Sequence, residues 1–281
     1  MVAYARYTFI AIISIVSIGL MPRFVYAAGG SDFVMTIKTD NAGTSNSTSF
    51  TIPTNGSGYN YSVDWNNDGT PDDTGLIGDA THNFGAAGTY TIRISGTFPR
   101  IHFSFGGDRL KVLSIDQWGT IAWDSFESAF FGCSNMTITA PDAPVLSGVT
   151  NFTYAFRSTG LTTEDLSAWD TSHVQIMYGT FQGTVFNGDI TTWNTSAVTT
   201  MSAMFYDNGF FNQNIGSWDV SHVTDMGGIF FGDGAFNQDI SGWDTGAVTS
   251  MYQMFNDAAA FNQPIGSWDV SHVTTMESMF S

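Results

Sequence analysis

A tryptophan that returns about every 25 residues is the strongest constraint on this chain. Trp169, Trp193, Trp218, Trp243 and Trp268 are 24, 25, 25 and 25 residues apart, and Trp118 holds the same place in an earlier unit. Three residues before each lies Ile115, Leu166, Ile190, Ile215, Ile240 or Ile265. Twelve after lies Phe130, Phe181, Phe205, Phe230, Phe255 or Phe280. A degenerate unit between the first two keeps Val149, Phe152 and Phe156 but has Pro144 where tryptophan is expected. A supersecondary unit this short buries its apolar edge only against its neighbours, so the period predicts a stacked array.

Each unit divides in two. Phe236–Trp243 (FNQDISGW) reads as extended chain. Val248, Met251, Met254 and Phe255 follow helical spacing, which predicts a short helix or 3₁₀ segment. Thr274-Thr-Met-Glu277 has the form of a capping box, with Thr199, Thr224 and Thr249 at equivalent starts. The expected fold class is mainly β with short helices. Residues 111–281 form a solenoid of about seven 24–26-residue units, with one strand and one helical turn each. The sequence stops inside a unit at Phe280-Ser281, so the expectation is an array cut short at its C-terminal end.

Residues 31–105 have a different pattern. FVMTIKT, SFTIP, YNYSVDW, TYTIRIS and RIHFSF are β-branched, aromatic or alternating, with Asn-Gly, Asp-Gly and Gly-Gly between them. A small β-sandwich is expected there. Ahead of it, Thr8–Met21 is an apolar run, about 21 Å long as a helix against a hydrocarbon core of ~30 Å. Val25 and Ala27 suit cleavage after Ala27, so residues 1–27 read as a secretory signal peptide. An uncleaved anchor is the alternative, favoured by Arg23 behind the run. The expected location is secreted or at a bacterial cell surface, with no stable membrane span after cleavage.

Charge narrows the function. Lys and Arg number 8 against 25 Asp and Glu, and residues 158–281 hold 13 acids with no Lys or Arg. That argues against a nucleic-acid partner, which needs a cationic face. A divalent cation or a basic partner suits such a surface better. The single cysteine, Cys133, excludes an intramolecular disulfide framework.

Two family likenesses lie in particular residues. Ala129-Phe130-Phe-Gly-Cys133-Ser-Asn-Met136-Thr-Ile138 resembles the A-F-x-x-C-x-x-L-x-I core of BspA-like leucine-rich repeats. Residues 236–255 resemble the Met/Phe/Trp-rich variant of that repeat found in bacterial surface proteins. The resemblance implies a curved leucine-rich-repeat-like solenoid on an exported protein, with adhesion as the role described for characterised relatives. His82-Asn-Phe84-Gly-Ala-Ala-Gly88-Thr-Tyr90-Thr-Ile92 resembles the end of a PKD domain, and Val63-Asp-Trp65 with Asp68-Gly69 its tryptophan hairpin. That implies a PKD-like β-sandwich serving as a spacer or binding module.

Several residues are candidates for chemistry. Asp64, Asn66, Asp68, Thr70 and Asp72 match the start of an EF-hand-type calcium loop, with Gly69 at its sixth position. Gly75 stands where the bidentate glutamate belongs, and a hairpin turn explains the same residues. Asp170, Asn194, Asp219, Asp244 and Asp269 are due to stack, as Asx turns or as a cation-binding edge. His173, His222 and His272 fall in alternate units, too far apart to share an ion, and are expected at the surface. The tryptophan and phenylalanine columns are expected in the core, with a sugar-stacking platform as the alternative. Asn187, Asn212, Asn237 and Asn262 are expected to form a ladder. Beside them, Asp189, Gln213, Asn214, Gln238, Asp239 and Gln263 are the expected open ligand-binding face.

The sequence lacks a nucleophile elbow, an H-E-x-x-H pair and a phosphate-binding loop. The expectation is therefore a non-enzymatic, adhesin-like interaction protein that binds an extracellular protein or glycan through its repeat face. It needs no cofactor, with Ca²⁺ the one ion its loop is suited to. A structural spacer or coat element stabilised by calcium is the alternative.

Overall fold

Strand β1 (Phe33–Lys38) is the inner strand of its sheet, with a hydrogen-bonded partner on each edge and buried side chains for most of its length. In the computed structural model, which describes residues 30–281, β6 (Thr89–Thr97) runs antiparallel along one edge of β1. Along its other edge β7 (Val112–Gln117) is also antiparallel. Beyond β6 lie β3 (Asn60–Asp64) and β4 (Asp73–Leu76), and beyond β7 lies β8 (Thr137–Ile138). The six-stranded order is β4-β3-β6-β1-β7-β8. Two further strands, β2 (Ser49–Ile52) and β5 (Ala80–Asn83), form an antiparallel pair. Phe50 and Ile52 of that pair share one buried core with Phe33, Ile92 and Trp65.

Strand β7 belongs to both patterns in the sequence. It closes the antiparallel sheet through β1 and starts a parallel register through β8, with Ile115 opposite Ile138. Behind it Trp118 packs on Phe33 with ring centroids 5.6 Å apart, and Trp123 meets Phe33 at 5.1 Å. Gly119 has φ +65°, and a Cβ there would come within 2.4 Å of the Asp32 carbonyl oxygen. The fully buried Lys111 Nζ donates to the Ser45 hydroxyl and to the carbonyls of Ser45, Asn46 and Ser49. Asp108, also buried, lies 3.8 Å from it and accepts the N–H groups of Ser45 and Thr51. The pair fastens the 41–51 loop to the start of β7.

The segment RIHFSF, expected as a strand, is not one. Ser104 and Phe105 have left-handed φ values of 46° and 61°. The N–H groups of Phe103, Ser104 and Phe105 donate to Ala129, Ser128 and Phe131, so the segment covers the first repeat unit. Strands β4 and β5 were not expected, because DTGL and ATHN lack an apolar alternation.

From residue 122 the chain rises in coils. Isolated parallel bridges link Asn151, Ile176, Thr200, Asp225, Ser250 and Thr275, each to the next. After each bridge every second N–H is donated to the following coil: Met226, Gly228, Phe230 and Gly232 donate to Ser250, Tyr252, Met254 and Asn256. The intervening Ile229, Phe231 and Asp233 donate three residues back within their own coil.

This pattern corrects the expected short helices. Helix among the described residues is confined to a 3₁₀ turn at Arg109–Lys111. In the coils the third and seventh residues after the bridge have positive φ: Tyr154 and Ser158, Gly179 and Gly183, Ala203 and Asp207, Gly228 and Gly232, Gln253 and Asp257. A left-handed residue every four positions stops a right-handed helix from propagating. Nor are the threonines helix caps. Thr224, Thr249 and Thr274 each donate both N–H and Oγ1 to the threonine carbonyl one coil earlier. The FNQDISGW segment forms no strand. Its contacts to the next coil run through side chains. The described chain is thus mainly β, with ladders of single bridges in its second half.

The apolar columns close the core. Phe130, Phe156, Phe181, Phe205, Phe230, Phe255 and Phe280 form a continuous stack with centroids 5.5–5.9 Å apart. A second column, Phe211, Phe236 and Phe261, lies face to face with the first. Trp193, Trp218, Trp243 and Trp268 are buried, and each indole N–H donates to a Leu166, Ile190, Ile215 or Ile240 carbonyl one coil back. Cys133 is fully buried and its thiol pKa is pushed up by desolvation.

Among the described residues the buried side-chain atoms without a hydrogen-bond partner are Arg109 Nε, Trp118 Nε1, Trp123 Nε1 and Asp233 Oδ2, and the last is the one carboxylate. Asn208 is buried and donates to Thr184 Oγ1 and the Phe186 carbonyl. One coil later the same slot holds Asp233, fully buried, with Oδ1 on the Ala235 N–H and Oδ2 unpartnered. Burial raises its pKa to about 7. The native state therefore holds this proton more tightly than the unfolded chain, and stability falls as pH rises from about 4 through 7. Asp233→Asn restores the amide of Asn208. Its melting temperature should match the parent at pH 4 and exceed it by several degrees at pH 8. Equal curves at pH 8 would contradict this placement of Asp233.

Candidate functional site

Outward-facing side chains in each coil come from the second, third and sixth residues after the bridge. They carry a run of aromatic rings. Phe105 and Phe131 are 4.9 Å apart, Phe131 and Tyr154 5.6 Å, and Tyr154 and Tyr178 5.1 Å. Further along, Tyr206 lies flat on Phe231 at 4.2 Å. Tyr178 and Tyr252 are 36% and 42% exposed, whereas the phenylalanines of the stack from Phe130 to Phe255 are buried. The first part of the run is covered by the chain's own arginines. Arg109 sits 4.4 Å over Phe105, and Arg157 sits 4.8 Å over Phe131 and 4.7 Å over Tyr154.

The second part is open. Between Tyr178 and Tyr252 the same slot holds Ser202 and Gly227. Two small residues between two tyrosines leave a notch of about 260 Å³, bordered also by Tyr206, Asp225 and Ser250. A Cβ on Gly227 would project toward Asp225 Oδ1 at 3.1 Å and the Ser202 and Ser250 hydroxyls at 3.5 Å. Asp225 Oδ1 accepts the Gly227 N–H. Its Oδ2 has no partner among the described residues. The notch presents three phenol rings, two hydroxyls and one carboxylate.

The residues expected as a binding face lie along a different edge. Asn187, Asn212 and Asn237 each accept, through Oδ1, the N–H of the asparagine one coil on. Gln213, Gln238 and Gln263 donate their amides to the same asparagines. Asp189, Asn214 and Asp239 accept the N–H two residues ahead, from Thr191, Gly216 and Ser241. Asn214 and Asp239 also line a shallow groove of about 480 Å³. This edge is mostly occupied in holding coils together.

Asp170, Asn194, Asp219, Asp244 and Asp269 likewise close Asx turns. The hydroxyl and N–H of Ser172 and of Ser221 lower the pKa of Asp170 and Asp219. His173, His222 and His272 are exposed, each beside the serine that precedes it. In the candidate calcium loop the carboxylates serve the β3–β4 hairpin. Asp64 is buried and accepts the N–H groups of Asp68 and Gly69. Asn66 accepts Asp68 N–H, Asp68 accepts Thr70 N–H, and Asp72 accepts Trp65 N–H. Among the described residues no three His, Cys, Asp or Glu side chains gather as a metal-holding group.

The repeat units determine the chain's kinship. Residues 124–232 and 209–281 match the family described as Mycoplasma protein of unknown function, DUF285. The chain belongs to that family. No curated protein and no solved structure matches it. The DUF285 match takes in the notch and the whole phenylalanine stack from Phe130, and stops short of strands β1–β7. The expected signal peptide at residues 1–27 lies outside the described residues. Among those described, no helix is long and apolar enough to cross a membrane.

The asparagine ladder is testable as a structural device. Asn237→Ala removes the acceptor of Asn262 N–H and one of the two acceptors of Gln263 Nε2, and should cost about 0.5–1.5 kcal/mol in chemical denaturation. Ser217→Ala, on the exposed groove wall, should cost under about 0.5 kcal/mol. Equal losses would mean that the asparagines do not hold the coils together.

Proposed function

We propose that this DUF285 protein is an exported, non-enzymatic interaction protein that displays a repeat face to an extracellular protein or glycan. In this reading residues 111–281 are a leucine-rich-repeat-like solenoid of BspA-like kinship, and residues 31–105 a PKD-like sandwich that carries and caps it. The apolar run at Thr8–Met21 supports export, and the stacked 25-residue coils support the solenoid. In the PKD-like region, the residues that carry that likeness meet: His82 stacks on Trp65 at 5.0 Å, and Phe84 on Tyr90 at 4.0 Å.

One observation carries the functional reading: solvent-exposed tyrosines at the two ends of a notch lined by small and polar residues. Exposed aromatic rings with a few convergent polar groups are the usual makings of a recognition site. The mechanism is binding alone, with affinity from ring contacts and specificity from Asp225, Ser202 and Ser250. The expected edge of Asp189, Gln213, Asn214, Gln238, Asp239 and Gln263 would be a flank to this centre.

An array of matrix proteins and glycans probed with the chain and with Gly227→Leu tests this. The leucine side chain occupies the notch while its Cβ meets only polar side-chain ends. Ligands retained by the parent and lost by Gly227→Leu are expected. An array with no ligand, joined to a Tm rise of several degrees at millimolar calcium, would favour the calcium-stabilised spacer built on Asp64, Asn66, Asp68, Thr70 and Asp72.

A further inference from the structure

The aromatic run has two halves that differ in one respect. In the first, guanidinium groups of Arg109 and Arg157 lie over Phe105, Phe131 and Tyr154 at 4.4–4.8 Å. In the second, Tyr178, Tyr206, Phe231 and Tyr252 continue the same outward face. Among the described residues no guanidinium or ammonium lies over these rings except where Arg157 ends the first half, and no Lys or Arg follows Arg157 in the sequence. The same stretch carries 13 acids from residue 158 onward. Ring faces are electron-rich and attract cations, most strongly where water is partly excluded. The half-buried Asp225 adds a carboxylate to the lining of the notch, with Oδ1 on the Gly227 N–H and Oδ2 without a partner among the described residues.

We infer that the second half of the run docks a basic polypeptide segment, with one arginine or lysine side chain seated in the notch against Asp225 and its neighbouring basic residues on Tyr178 and Tyr252 at the two ends. The partner thus supplies the cation that Arg157 supplies one unit earlier. The proposal rests on the reading of this face as the binding surface and adds the chemistry of its ligand. Charge favours a basic peptide over a neutral glycan: a glycan would use the rings and hydroxyls but gain nothing from the acid-only surface. The geometry also fits a single side chain better than a broad surface, since the notch is only about 260 Å³.

The test is fluorescence anisotropy of labelled nona-arginine with the full chain at about 0.15 M salt, where the screening length is near 8 Å. Neutral glycine–serine peptide and a neutral oligosaccharide serve as competitors. The expected result is binding of nona-arginine that neither of them displaces. Tyr178→Ala/Tyr252→Ala should weaken it at least tenfold and Asp225→Asn about threefold. Tyr178→Phe/Tyr252→Phe, which keeps the rings and controls for misfolding, should stay within about twofold. Val185→Ser, at an exposed site on another face, should bind unchanged. Equal binding by the alanine pair would overturn the proposal, because diffuse acidity would then account for the affinity. Displacement by the oligosaccharide would overturn it in favour of a glycan. If nona-arginine fails while an array ligand is lost on Gly227→Leu, the basic-segment inference falls and the broader recognition reading stands. If Gly227→Leu loses nothing, the notch itself is not the site.

Discussion

Every second backbone N–H after each bridge has its acceptor in the next coil, and the remainder of the column depends on that division. Local three-back bonds satisfy the intervening groups, and left-handed residues at two places per coil aim the others outward along the column axis. A lone coil would leave four such donors without partners. Those donors would turn to water and the apolar rings of the coil would be exposed with them, so no unit is stable by itself. Ring stacking then fixes the spacing: seven phenylalanines in one line tolerate little slip between neighbours. The N-terminal sheet meets the same need at the column's start. Strand β7 and the 103–105 segment accept and donate on behalf of a coil that is not there.

The polar edges follow from this constraint. Where the backbone ladder lapses, between Phe236 and Trp243 and their counterparts, asparagine Oδ1 atoms stand in for carbonyls. Aspartates one step away close turns on serine or threonine N–H groups. Most carboxylates of this acidic chain are therefore employed locally, with one oxygen turned to the backbone and one to solvent. The outward aromatic face is the region with least structural duty, which is why it is the place to look for recognition.

Much of this was legible in the sequence. The period located the coils, the tryptophan, isoleucine and phenylalanine slots gave the core, and Cys133 and the exposed histidines lie where expected. The asparagine ladder was also legible, because Asn187, Asn212, Asn237 and Asn262 recur at the repeat period and a side-chain amide oxygen can serve for a missing carbonyl. The short helices were misread: Met251, Met254 and Phe255 have helical spacing, but left-handed residues such as Gln253 and Ala203 carry no sequence mark unless glycine stands in the slot, as at Gly179 and Gly228. The tyrosine face was missed for a related reason. Its slot holds Thr153, Tyr178, Ser202, Gly227 and Tyr252, and such variety hides a column. The signal available was the set of aromatics that fall outside the tryptophan and phenylalanine lines after Arg157. The Asp108–Lys111 pair joins residues three apart to a loop some 60 residues earlier, which no local pattern reveals.

The central claim is that coils of one period stack in register, each completing its neighbour's hydrogen bonds. Deletion tests it most directly, with thermal unfolding followed by far-UV circular dichroism. Removing residues 226–250, one full period, joins Asp225 to Met251 and keeps every column in line. That variant should unfold in one cooperative transition within about 10 °C of the parent. Removing residues 226–237, half a period, puts the coils after the junction out of line, so the transition should broaden and lose the share contributed by the residues beyond Asp225. If the half-period deletion melts as cooperatively as the full-period one, the coils are not in register and the account is wrong.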